Sequence, residues 1–378
     1  YGNLVPRDIA TREIFDICVN HGMGVGGGNM VYLDLTHKEP EYLTRKLGGI
    51  MEIYEKFVGD DPRELPMKIF PAVHYTMGGM WTTFTPGEYK PDEQWGMHNP
   101  GDTPPIGAEP GMGMKLGAPN NAMTNIKGLY AFGEVNFAYH GATRLGANAL
   151  LSCIFDGLFC GLGVANYVRD HEPATEPAAG LDQAMFDNAK QAEENKVAKL
   201  LGTTGSDMTD DNNPYVIGKE LGDEMTAACT VVKTGPRLEQ CKGKLAELRE
   251  RFSRVHLGDT ATWTNQTLSY TRALGDMLVL AEVVALGSLE RQESRGSHYR
   301  LDFPDRNDEQ FLKATVVEYI AGNGWADAAG DGHKLTFRDV DTSLVKPRAR
   351  TYGKVEATDD KKAESKSETA APEKVAAS

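Results

Sequence analysis

Gly128-Leu129-Tyr130-Ala131-Phe132-Gly133-Glu134 is the stretch on which the fold reading turns. An apolar run of strand length bounded by glycines predicts a buried strand, and the Gly-Glu at its end sets a carboxylate at the strand's carboxyl edge. Open α/β sheets bind nucleotides at that edge, where a Glu can accept hydrogen bonds from ribose hydroxyls. The same spelling also suits a strand that simply ends in a solvated Glu.

Working outward, His140-Gly141-Ala142-Thr143-Arg144-Leu145-Gly146-Ala147-Asn148-Ala149-Leu150-Leu151 predicts a glycine-bearing loop that opens a small-residue helix. Such glycines let backbone approach a flat ligand, and a helix amino terminus offers unpaired N–H donors. Arg144 stands where it can fork onto a carboxylate, or make an ordinary surface ion pair. Upstream, Lys68 to Tyr75 is a second candidate strand. It runs into Phe70-Pro71-Ala72-Val73-His74-Tyr75-Thr76-Met77-Gly78-Gly79. His74 can donate to a substrate oxygen, or be a satisfied loop residue. Near the start, Asn3-Leu4-Val5-Pro6-Arg7-Asp8-Ile9-Ala10 predicts a helix with Ile9, Ile14, Phe15 and Cys18 on one face. A cation at a helix start opposes the dipole, which hints at a task for Arg7.

The 378 residues suffice for two or three domains, and 40% apolar residues can fill their cores. Net charge is −14, of which 12 acidic against 4 basic residues in 171–230 account for −8. So acidic a chain is a poor nucleic-acid binder. Cys18, Cys153, Cys160, Cys229 and Cys241 are scattered without CxxC spacing, which argues against a zinc site, a ligated cluster or a disulfide framework. No metal site is predicted. No secretory signal is legible in residues 1–20, and the longest apolar stretch, Leu145 to Val168, is interrupted by Asn148, Asp156 and glycines, so a soluble chain is expected.

A glycine-rich turn from Gly22 to Gly28 leads to a predicted strand at 30–35, then a helix over 40–58. Residues 85–121, rich in Pro, Gly and Asn, read as a surface insertion. Residues 181–292 read as helices, with Leu238, Leu245, Leu248 and Phe252, and then Leu274, Leu278, Val283 and Leu286, at helical spacing. Short strands and loops follow to about Tyr352. The Lys/Glu/Ala/Ser stretch 355–378 lacks apolar anchors and reads as disordered.

Taken together, the Arg-Asp, His-Tyr-x-Met-Gly-Gly, Gly-Leu-Tyr-Ala-x-Gly-Glu and His-Gly-Ala-x-Arg-Leu-Gly-x-Asn-x-Leu-Leu segments resemble the succinate dehydrogenase and fumarate reductase flavoprotein family. The resemblance covers about residues 1–352. Glu293-Ser294-Arg295-Gly296-Ser297-His298-Tyr299-Arg300, followed by Asp302-Phe303-Pro304, is similar to that family's carboxy-terminal signature. The resemblance implies an α/β FAD-binding domain in part (66–170), a capping-domain remnant (1–65), an α-helical domain (171–292) and a small carboxy-terminal α+β domain (293–354). It implies FAD as cofactor and Arg7 as the catalytic proton shuttle beside hydride transfer at the flavin N5. His74 and Arg144 would hold succinate or fumarate, Glu134 the FAD ribose, and Ala149 and Leu150 would contact the flavin through their backbone. It also implies an iron–sulfur partner subunit and a membrane anchor subunit, with the chain peripheral on the cytoplasmic face of the inner membrane.

Ala149 and Thr143 depart from the family's usual Ser and Asn, so a hydroxyl contact at 149 is lost while a backbone contact survives. No G-x-G-x-x-G follows a strand, and the family's FAD-tethering histidine, upstream substrate-binding His and Thr-Glu pair are not in this sequence. The chain therefore reads as a carboxy-terminal part, expected to bind FAD poorly and be inactive alone. L-Aspartate oxidase shares the His, Arg and Gly-Glu motifs, but Arg144-Leu145-Gly146-Ala147-Asn148 favours the succinate/fumarate branch. A non-catalytic docking fragment built on the acidic helical region is the reading from a different class.

Overall fold

A computed structural model describes residues 7–87, 114–146, 148–170, 182–202, 208–319, 333–342 and 347, with only the backbone of Arg7 and Tyr319. The predicted disordered tail 355–378, Ala147 and most of the 85–121 insertion lie outside the described residues.

The chain enters through α1 (Arg7–Phe15), continued by a wider turn over Asp16–Asn20. Its buried face is Phe15 and Cys18, as the spacing predicts, with Ile9 and Ile14 half-buried beside them. Positive φ at Gly26 and Gly27 turns the chain into β1 (Val31–Leu33). That strand pairs antiparallel with β2 (Met67–Ile69), Tyr32 opposite Lys68. Between them runs α2 (Pro40–Val58), begun by a proline whose missing N–H costs nothing there and ended by Gly59 in the left-handed region.

The two longer predicted strands need correction. Only Met67–Ile69 of the first run is strand, and 70–79 is irregular backbone. Gly128–Phe132 forms no strand; Tyr130 makes one isolated bridge to Met123, and the chain tightens into a single helical turn at Gly133–Val135. An apolar run becomes strand only where a neighbouring backbone closes its ladder. Here Pro71 removes one donor, and Leu129 and Ala131 make two backbone bonds to 122–124, whose other edge pairs as β4 (Met123–Thr124) with β3 (Thr82–Thr83). Among the described residues the sheets are three antiparallel two-stranded pairs. The end of the predicted surface insertion is only partly surface: Lys115, Leu116 and Asn120 are exposed, but Ala118 and Asn121 are buried, and the Asn121 amide donates to Lys115 O at 2.8 Å while its carbonyl accepts Thr85 N–H at 3.0 Å.

Residues 148–170 form one continuous helix, α3 (Asn148–Phe155), a wider turn at Asp156–Cys160 and α4 (Gly161–Asp170). The interruptions expected to break this stretch do not break it: at 23 residues it is long and apolar enough to cross a membrane, by length and composition only. Its inner side carries Ser152, Asp156, Cys160 and Gly163, all buried. A Cβ on Gly163 would lie 2.4 Å from Ala118 O, so the small residue permits the close approach of helix and turn.

The helical region comprises α5 (Gln183–Leu201), α6 (Pro214–Cys229), α7 (Gly235–Ser253) and α8 (Gln266–Glu290). Asp182, Asn213, Thr234 and Asn265 cap them through side-chain oxygens that accept N–H groups of the first turn. Leu238, Leu245, Leu248, Leu274 and Leu278 are core, as their spacing predicts. On α8 the stripe continues through Ala281 and Ala285, whereas the predicted Val283 and Leu286 are half-buried: the close α7–α8 approach takes small side chains at the seam. Arg251, nearly buried, pairs with Glu220 through two bonds of 2.8 and 3.0 Å, and with Lys244 it holds that carboxyl down at about 2.

Beyond α8 come a loop over 291–307, a short turn of helix α9 (Asp308–Phe311), and a hairpin of β5 (Lys313–Tyr319) with β6 (His333–Asp339). His298 in that loop donates from Nε2 to Arg291 O at 3.1 Å. Burial, with the charges of Lys233, Arg291 and Arg300 around it, depresses its pKa to about 4. Its unfolded form takes a proton first, so stability falls as pH drops from about 6.5 to about 4. His298→Gln should flatten the melting temperature between pH 7 and 4.5, removing on the order of 2 kcal/mol of pH-dependent stability after allowance for partial exposure. An unchanged pH profile in the variant would contradict this assignment.

Candidate functional site

Of the residues singled out by the motifs, Glu134 and Arg144 come together at the segment 74–76, through Thr76 and Tyr75. Gly79 has φ +141°, and a Cβ there would lie 2.2 Å from Val135 O. That contact lets Met80 N–H reach Val135 O at 2.7 Å, and Phe137 N–H returns to Met80 O at 3.2 Å. Trp81 stacks on Phe137 with centroids 4.4 Å apart. The segment carrying His74 is thereby latched beside the turn carrying Glu134. The latch closes where Thr76 N–H donates to Glu134 Oε1 at 2.9 Å.

Gly133 holds the other side of this turn. Its φ is +68°, and a Cβ would meet Cys153 Sγ of α3 at 2.7 Å, so only glycine lets the turn sit on the helix. Its N–H donates to Asp156 Oδ2 at 2.6 Å. The Tyr139 hydroxyl donates to Asp156 Oδ1 in a short bond. Burial first, then the bond to Asp156, raises the Tyr139 pKa well above the usual phenol range. Burial likewise pushes the Cys160 thiol up to about 12, aided by the charge of Asp156. Asp156 is fully buried, and these two donors satisfy it from the two loops that matter.

After Tyr139 the chain passes His140 in the left-handed region, φ +69°, and reaches Arg144. The Arg144 guanidinium lies over the Tyr75 ring at 4.9 Å, and the His140 ring meets the same Tyr75 edge-on at 5.3 Å. Burial, then the nearby Glu134 charge, raises the Tyr75 pKa, so the phenol stays protonated at neutral pH. Arg144 donates from Nη1 to Leu145 O at 3.2 Å, while its Nε and the His140 Nε2 are buried without a protein partner. Buried donors left unpaired are costly and mark where a ligand acceptor belongs.

His74 and Glu134 are exposed, Arg144 is half-buried, and the segment 74–76 touches the last two through Tyr75 and Thr76. Ala149 and Leu150 lie in the first turn of α3, where the N–H groups lack helical partners. Arg7 opens α1, and its side chain lies outside the described residues. The sequence reading missed Tyr75, His140 and the Asp156–Tyr139 pair. An acid in the middle of a largely apolar helix was the available signal for Asp156, since such an acid is buried only with donors supplied. The donor set suits carboxylates, and the exposed Glu134 with the open amides of α3 suits a nucleotide and the polar edge of a flat ring. A hollow between α2 and the 61–64 turn, lined by Thr44, Arg45, Asp61 and Arg63, lies away from these groups. Among the described residues no group of three or more His, Cys, Asp or Glu could hold a metal, and the cysteines are free.

The family described as "FAD binding domain" matches residues 1–86, and that described as "Fumarate reductase flavoprotein C-term" matches residues 218–352. The succinate dehydrogenase flavoprotein subunit of Bacillus subtilis is 44% identical over 354 residues, 94% of this chain and 52% of that protein. The fumarate reductase flavoprotein subunit of Escherichia coli is 32% identical, covering 98% of this chain and 53% of that protein. A solved quinol-fumarate reductase with menaquinol molecules superposes with TM-score 0.70 at 29% identity, over 92% of this chain and 51% of that one. The chain thus spans about half the length of the curated relatives it matches.

Asp156→Ala should strand the Gly133 N–H and the Tyr139 hydroxyl and destabilise the protein by about 2–4 kcal/mol. Urea unfolding measures this. A cost under about 0.5 kcal/mol, the range of ordinary surface substitutions, would show that Asp156 does not hold the two loops.

Proposed function

Because the chain belongs to the succinate dehydrogenase and fumarate reductase flavoprotein family, we propose that it carries the dicarboxylate-facing part of an FAD-dependent enzyme interconverting succinate and fumarate. The observation that carries the reading is the pair of buried, unpaired nitrogens on Arg144 and His140, gathered around Tyr75 beside His74 and Glu134.

Succinate is a dianion whose central C–C bond must be held still while a hydrogen leaves each carbon. Arg144 presents a planar fork, rigidified by its stack on Tyr75, that suits one carboxylate. His74, on the adjoining segment, suits the other. Two fixed donors orient the bond and withdraw charge from it, and this preorganisation lowers the barrier. Bound FAD would supply the two-electron acceptor for hydride, held by Glu134 at its ribose and by the backbone of Ala149 and Leu150 at its ring. Arg7, at the start of α1, takes up or delivers the proton at the carbon that does not exchange hydride. A guanidinium has a pKa above about 12, so that proton moves in concert with the hydride rather than resting on a neutral arginine. The chain's place is a peripheral subunit on the cytoplasmic face of the inner membrane, passing electrons to an iron–sulfur subunit and a membrane anchor subunit. Its likeness to a quinol-fumarate reductase supports that assembly.

The test uses the chain joined to its upstream coding sequence. Succinate-dependent dye reduction should be robust, and Arg7→Lys should lower kcat by about 10²–10⁴-fold with FAD still bound. Arg144→Ala should lower kcat/KM by a comparable factor, with a raised KM, because it removes ground-state as well as transition-state contact. Hydrogen peroxide formed from L-aspartate, with no succinate turnover, would move the chain to the oxidase branch. Turnover unaffected by Arg7→Lys would overturn the proton-shuttle role.

A further inference from the structure

The loop that follows α8 is built more tightly than a connection needs to be. Glu293 is fully buried and receives Arg291 Nη1 at 2.6 Å, Arg295 Nε at 2.7 Å and the Asn307 N–H at 2.9 Å. Arg300, equally buried, caps the end of α8 by donating to Ser288 O at 2.7 Å and Leu289 O at 3.0 Å. Two further bonds of 2.8 Å join Arg300 to Asp302. Ser294 Oγ accepts the Arg300 N–H at 2.9 Å and donates to Phe303 O at 2.9 Å. Lys233 clips the loop to the α6–α7 turn, its N–H on Tyr299 O at 3.0 Å and its O taking Leu301 N–H at 2.9 Å. The buried charges of this loop tie it to itself and to the elements on either side, α8 and the start of β5.

The tip is Gly296-Ser297, in a turn closed by Arg295 N–H on His298 O at 2.8 Å and the reciprocal bond at 3.0 Å. Both the N–H and the hydroxyl of Ser297 donate to Ala142 O, each at 3.0 Å, across 155 residues of sequence. Gly296 has φ +60°, and a Cβ on it would lie 2.4 Å from the same Ala142 oxygen. Ala142 stands midway between His140 and Arg144, whose buried nitrogens lack protein partners. On its other side the loop presents Tyr299, whose ring lies under the Arg12 guanidinium of α1 at 4.8 Å. Arg12 is bound in turn to Asp8, one residue from Arg7.

We propose that the Glu293–Asp302 loop is a positioning element for the dicarboxylate site: Gly296 and Ser297 set the height of the His140–Arg144 loop, and Tyr299 sets α1 and with it Arg7. The proposal rests on the functional reading above and adds residues beyond those assigned there to substrate or cofactor. Its chemical consequence is a division of labour. Displacing the tip misplaces the carboxylate donors, whereas loosening Tyr299 misplaces the proton shuttle; a displacement near 1 Å at such a site costs about 10²-fold.

The experiment compares Gly296→Ala, Ser297→Ala, Ser297→Thr and Tyr299→Leu in the assembled holoenzyme with the full-length chain. It reads steady-state succinate kinetics and amide hydrogen exchange of the 138–147 segment. Gly296→Ala should speed exchange in that segment and lower kcat/KM about 10²-fold, chiefly through KM. Ser297→Ala should do the same more weakly, and Ser297→Thr, which keeps the hydroxyl, should restore wild-type values. Tyr299→Leu should lower kcat with KM nearly unchanged. Unchanged exchange at 138–147 in Gly296→Ala overturns the proposal whatever the activity. Wild-type protein that turns over no succinate sinks the functional reading instead, and the exchange result still decides the positioning role.

Discussion

Asp156 is the constraint on which the rest of the site depends. A carboxyl group buried in the middle of an apolar helix is tolerable only where donors replace its lost water. Here the donors are the Gly133 N–H and the Tyr139 hydroxyl, which belong to two different turns. Glu134 follows the first donor and His140 the second. One buried group therefore fixes both the turn that carries Glu134 and the root of the loop that ends in Arg144. The wider helical turn that begins at Asp156 fits this role, since local widening re-aims a side chain without breaking the helix.

From that anchor the electrostatics follow a simple order. Tyr75 stays a protonated phenol, because burial and the neighbouring Glu134 both oppose its ionisation. A neutral aromatic face can then support the Arg144 cation without neutralising it, which a carboxylate partner in the same place would do. Among the described residues Arg144 is held by its stack on Tyr75 and its bond to Leu145 O. In the helical region the logic is reversed: Arg251, Arg249 and Arg237 each meet carboxylates directly, and there the cations serve packing between helices.

Much of this was legible in the sequence, for reasons that can be named. The leucines of α7 and α8 declare themselves by period, and the motifs that carry Glu134 and Arg144 are those whose turns meet the 74–76 segment. The strand assignments at 70–75 and 128–132 failed because strand formation depends on a partner backbone, which a window of sequence does not contain. Helical spacing picks out Val283 and Leu286, yet Ala281 and Ala285 take the core positions, because period marks apolar residues without saying which of them a packed face admits. The Ser297–Ala142 contact joins segments 155 residues apart, and neither carries a local signal of the other. The unpaired state of the Arg144 and His140 nitrogens is likewise a property of surroundings, invisible until the loops are folded against one another.

The account stands or falls on whether these groups serve a dicarboxylate beside a flavin. The most direct measurement is an anaerobic titration of the FAD-loaded, full-length protein with succinate, following flavin absorbance. Bleaching by succinate that fumarate reverses, and that Arg144→Ala shifts to much higher succinate concentrations, is the predicted result. A flavin that stays oxidised at saturating succinate, or bleaches identically in the variant, would contradict the account.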